Sequence, residues 1–124
     1  LLTLYLEAVA VTLDNRLEEG PVCTPGRSSE EDEILQTVFN KIYAPDLQLY
    51  VSQVHRKARM WWELTERLAH SSASRMPPGF QAYYDRQIRM DREKGPWRRF
   101  EDAIQSHTEA WQMVLDECGM ALGE

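Results

Sequence analysis

No stretch of this 124-residue chain stays apolar for the roughly 18 residues a membrane-spanning helix needs, so no transmembrane segment is expected. Nor is there a signal-peptide pattern: residues 1–11 are apolar, but no basic region precedes them and no small-residue cleavage site follows. A first residue of Leu rather than Met reads as a single domain, residues 1–124, taken from a longer protein. Cysteine is scarce. Cys23 and Cys118 stand far apart in no metal-binding or redox spacing. They read as one loop thiol and one small core residue, which favours a reducing, intracellular setting in cytoplasm or nucleus.

Catalytic signatures are missing too. His55, His70 and His107 do not fall into H-E-x-x-H, and no Glu-x-x-His pair repeats as a carboxylate-bridged metal site requires. There is no G-x-S-x-G, Walker loop or Gly-rich phosphate cradle. The expectation is therefore a non-enzymatic chain, with no catalytic or metal-ligating residue to nominate, no cofactor and no evident small-molecule substrate.

The sequence does hold a segregated charge. Residues 55–99 carry eleven basic and five acidic side chains, whereas residues 1–54 carry three and nine, and residues 100–124 none and six. The mild total of −6 thus conceals a basic band between two acidic arms. Such a pattern bears on partners and orientation rather than on fold. An apolar share of 43% with 27% charged residues places the chain among globular sequences, and four Trp and five Tyr offer large packing anchors.

Strand-like alternation is absent, and helical periodicity dominates. Leu2, Leu6, Val9, Ala10, Leu13 and Leu17 line one face of a first helix that Gly20-Pro21 ends. Ser28 and Glu31 have capping-box spacing, and a second helix should bury Ile34, Leu35, Val38, Phe39 and Ile42. Pro45 suits the start of a third helix reaching about His70, with a core stripe of Leu47, Tyr50, Val51, Val54, Ala58, Trp61, Leu64 and Leu68. After a Ser- and Pro-rich loop at 71–79, a short fourth helix carries Phe80, Tyr84 and Ile88. Gly95-Pro96 restarts the chain into a last helix built on Trp97, Phe100, Ile104, Trp111, Val114, Leu115, Cys118 and Leu122. The fold expected is all-α, an antiparallel bundle of about five helices.

Helical spacing gives the basic band intrahelical partners: Arg59–Glu63, Glu63–Arg67, Asp85–Arg89, Arg89–Glu93 and Arg98–Asp102 are all i,i+4 pairs. Arg98 and Arg99 fall on opposite flanks of one helix. The remaining candidate surface is Arg56, Arg59, Arg86 and Arg89 with Trp62, which points about 100° away from Trp61. Arginines would steer an acidic partner and Trp62 would anchor it. The function expected is a protein–protein interaction or assembly module with an acidic or helical partner, and nucleic acid is the second reading, since eleven of the fourteen basic residues are Arg. Leu4, Ala8 and Val11 form a second apolar line on the first helix, a candidate for self-association. His107 reads as a hydrogen-bonded boundary residue, and Thr24, Ser28, Ser29, Ser71, Ser72 and Ser74 as ordinary polar loop groups.

Overall fold

The computed structural model describes residues 1–24, 26 and 29–120. About 81% of the described residues are helical, and none of them forms a strand. In chain order come α1 (Leu2–Glu18), α2 (Glu30–Val38), a π-helical segment (Phe39–Leu47), α3 (Gln48–Ser71), a 3-10 turn (Ala73–Arg75), α4 (Pro78–Tyr83), a second π-helical segment (Tyr84–Ile88) and α5 (Pro96–Glu117). The all-α expectation holds. The chain divides into two compact units, Leu1–Tyr50 with Ala103–Glu124, and Val51–Asp102, so the division falls inside α3 and inside α5.

Pro45 does not open a helix but sits within one. Its ring would collide with the carbonyl four residues back, and it has no N–H to give. Widening the turn removes both conflicts: Gln48 N–H donates to Tyr43 O, five residues back, and the helix runs on from α2 into α3. The cap of α2 lies one residue beyond the expected position. Ser29 Oγ accepts from Asp32 N–H at 3.1 Å and Asp32 returns a bond to Ser29 N–H at 3.0 Å. Ser28 lies outside the described residues, as does Leu122. Four acidic residues fill the first turn of α2, where the helix dipole favours them.

In the first unit, Ala10 and Leu13 of α1 meet Phe39 and Tyr43 of the first π segment and Ala110, Trp111, Val114 and Leu115 of α5. The α1 stripe is the expected one. The next element turns differently: Phe39 and Tyr43 are buried, whereas Ile34 and Ile42, expected in the core, are exposed. Aromatic packing sets this phase. Phe39 stacks on Tyr43 at 5.3 Å, and Trp111 lies 5.3 Å from Tyr43 and 5.7 Å from Phe39. At the surface, Arg16 grips the Glu31 carboxylate with two nitrogens and Gly20 O with a third, tying the end of α1 to the start of α2. That contact raises the Arg16 pKa and lowers that of Glu31.

His107 is not a boundary residue. It is 3% exposed, its ring lies 5.2 Å from Tyr43, and its Nε2 is buried without a hydrogen-bond partner among the described residues. Burial pushes its pKa below the ordinary 6.5. Above that value the ring is neutral whether folded or not, and no pH dependence arises from it. As pH falls through 6.5 the unfolded chain takes up a proton that the native core resists, so stability declines until the lower native pKa is passed. Denaturant midpoints should therefore be flat above pH 7 and decline below pH 6.5, ahead of carboxylate titration. In His107→Phe that early decline should vanish; an unchanged profile would refute the assignment.

The two cysteines are not free thiols. Cys23 and Cys118 form a disulfide across 95 residues, with Cα atoms 5.0 Å apart. Beside it, Glu117 accepts from Val22 N–H at 3.0 Å, so the loop after α1 is held to the end of α5 twice. Tertiary folding brings together two residues that no local spacing connects.

Candidate functional site

The second unit holds the features expected to meet a partner, in a different arrangement. No residue of α3 is fully buried; the partly buried ones are Gln53 and, along one face, Val51, Val54, His55, Ala58, Trp62, Thr65 and Ala69. At 100° per residue their centre lies about 60° around the helix from the expected stripe. His55 explains the rotation. Its Nε2 lies 3.3 Å from Glu101 Oε1, and its ring packs at 5.2 Å on Trp97, which in turn packs at 5.3 Å on Phe100. Two turns on, Trp62 falls on the same line and turns inward; its Nε1 is buried and unpartnered among the described residues. Ala58, Thr65 and Ala69 complete a narrow inner face of small side chains.

Trp61 was the expected core residue, and here the structure corrects the sequence reading: its side chain is 54% exposed. Leu64 at 59%, Leu68 at 67% and Met60 are exposed with it. Trp61, Leu64 and Leu68 follow i, i+3, i+7 spacing and form an apolar line along α3. Phe80 and Tyr83 of α4 are half exposed, their rings 6.4 Å apart.

The four arginines differ in their partners. Arg89 lies past the end of the second π segment, where Asp91 holds it at 2.9 and 2.7 Å and Asp85 at 3.4 Å. This pairing raises its pKa and lowers that of Asp91, so its charge is already answered. Arg86 donates to Ala82 O at 3.3 Å on its own helix. Arg56 and Arg59 are exposed, but helical phase sets them more than 120° from Trp61. The cation that shares the Trp61 line is Lys57, one turn earlier, and Arg67 flanks Leu64. Neither was placed in the candidate surface from sequence, because the apolar line beside them had been assigned to the core.

Of the helical ion pairs, Arg98–Asp102 forms at 3.1 Å and Asp85–Arg89 at 3.4 Å. Arg59–Glu63, Glu63–Arg67 and Arg89–Glu93 do not close to ion-pair distance among the described residues. On α1, Leu4, Ala8 and Val11 are all exposed, consistent with their lying opposite the buried stripe. Among the described residues no group of three His, Cys, Asp or Glu side chains could hold a metal ion, and no helix is long and apolar enough to cross a membrane.

Among the described residues the fold is all-α and disulfide-linked, with an exposed apolar line on α3. The chain belongs to the DUF3080 family, described as a protein of unknown function, whose model matches residues 1–122. No curated protein and no solved structure matches the chain.

Proposed function

We propose that this chain is a non-enzymatic interaction module whose second unit docks an amphipathic helix of a protein partner along α3. The observation that carries this reading is the exposed line of Trp61, Leu64 and Leu68, large apolar side chains at helical spacing beside a partly buried face of the same helix. Trp61 is the anchor, the residue type most enriched at interface hot spots. Lys57 and Arg67 at the edges select a partner whose apolar stripe is flanked by carboxylates. Arg56 and Arg59 carry charge free of ion pairs among the described residues, and they raise the encounter rate without touching the anchor.

Trp61→Lys should weaken partner capture from nuclease-treated native extract by at least about thirtyfold, the scale of a hot-spot truncation. Its melting temperature should stay close to that of the parent, because the ring is exposed. Trp62→Ala should do the reverse, lowering stability more than binding. Capture lost on nuclease treatment would instead support nucleic acid as the partner.

The intracellular expectation rested on free thiols. With Cys23 and Cys118 bridged, we propose that the protein works in an oxidising compartment, where such bonds persist. Alkylation of intact source cells followed by mass spectrometry tests this: both cysteines should resist modification until a reductant is added, and prompt labelling would restore the reducing setting.

A further inference from the structure

The rotation of α3 that exposes Trp61 leaves a second feature on its other side. Inward-facing Thr65 and Ala69 are too small to fill the space toward α4. An apolar cleft of about 290 Å³ remains, bounded by these two residues and Leu68 of α3, by Met76, and by Phe80 and Tyr84. It has about twice the size of the ~150 Å³ apolar cavity that accepts benzene, so a short alkyl chain fits. A small-molecule site is typically such a space, lined by apolar groups with one or two polar ones to fix orientation. Among the described residues, Arg75 is the only charged one on the lining. Its guanidinium forms no ion pair among the described residues.

We propose that this cleft binds a medium-chain fatty acid, its alkyl chain between α3 and α4 and its carboxylate on Arg75. A planar guanidinium matches a carboxylate with two parallel hydrogen bonds, and an apolar cleft with a single unanswered cation at its edge is complementary to an amphiphile of opposite charge. The sequence conceals this site because Thr65 and Ala69 look unremarkable until the inner face of α3 is known. The cleft shares Leu68 with the docking line, but Trp61, the proposed anchor, does not line it, so the two proposals can be tested apart.

Calorimetric titration of the purified chain with decanoate, kept below its micelle-forming concentration, tests the assignment. One saturable site is expected. The double variant Thr65→Leu/Ala69→Leu should abolish it, with an unchanged helical circular dichroism spectrum and a melting temperature no lower than the parent's. Should the double variant not fold, Met76→Trp obstructs the same space from the turn. Arg75→Gln should weaken decanoate about fivefold, the scale of one exposed ion pair, and decanol should bind the parent as weakly as decanoate binds that variant. Trp61→Lys should leave decanoate affinity unchanged, whatever it does to partner capture. Absence of saturation, or undiminished binding by a folded cleft-filling variant, would overturn the site. Equal affinity of Arg75→Gln and the parent would overturn the head-group assignment. Co-sedimentation with phosphatidylglycerol vesicles, without saturable decanoate binding, would overturn the free acid as occupant.

Discussion

Opening the Cys23–Cys118 bridge is expected to lower unfolding stability by about 3–5 kcal/mol and the melting temperature by roughly 10–20 °C. The size follows from the loop the bond closes. Its 95-residue span is most of the chain, and a cross-link of that length removes a large part of the freedom of the unfolded state. Cys23 and Cys118 are half buried and Cys118 packs on the core cluster, a contact that the near-isosteric serine largely keeps, so the loss reports mainly the cross-link. Cys23→Ser/Cys118→Ser should unfold at lower denaturant while keeping its helical spectrum at low temperature. Equal midpoints for the parent with and without reductant would show that the bridge contributes nothing.

Phe39→Ala should destabilise by about 3–5 kcal/mol, the scale of deleting a fully buried aromatic ring. Phe39 is 2% exposed and touches both Tyr43 and Trp111, so its removal opens a cavity at the centre of the first unit. Ile34→Ala, five residues earlier on the same helix, should change stability by less than about 1 kcal/mol, because that side chain is already exposed. The sequence assigned both residues to one core face, so the pair discriminates sharply. Comparable losses from urea denaturation of the two variants would contradict the observed phase.

These two cases show where the sequence was legible. On α1, the longer stripe through Leu6, Ala10 and Leu13 outweighs the shorter line of Leu4, Ala8 and Val11, so the buried face could be read directly. The Trp111, Val114 and Leu115 stripe of α5 was readable for the same reason. On α3, by contrast, Trp61 and Trp62 are adjacent and both apolar lines are continuous. The choice between them depends on the contact of His55 with Trp97 and Glu101, more than forty residues away, which no local pattern encodes. Pro45 looked like a helix start because an α-helix cannot contain it comfortably; a π turn can. The cysteines gave no signal because a single pair in one chain has no spacing to interpret.

The candidate site suffered from the same ambiguity. A positive band at 55–99 was visible as a count, but side-chain geometry divides it. Arg89 is consumed by Asp91 and Asp85, Arg86 lies along its own helix, and Arg56 and Arg59 face away from Trp61. The interaction function inferred from the sequence is retained as the proposal, while its anchor moves one residue, from Trp62 to Trp61.

Site-specific photocrosslinking in the native source extract, treated with nuclease, tests that central claim most directly. A photoreactive phenylalanine at Leu64 should capture a discrete protein adduct, and the same group at Ile34 or Met113, equally exposed apolar positions in the first unit, should not. Trp61→Lys introduced alongside the Leu64 probe should eliminate the adduct. Adducts of equal yield from all three positions, or an adduct at Leu64 that persists with Trp61→Lys, would contradict docking along α3.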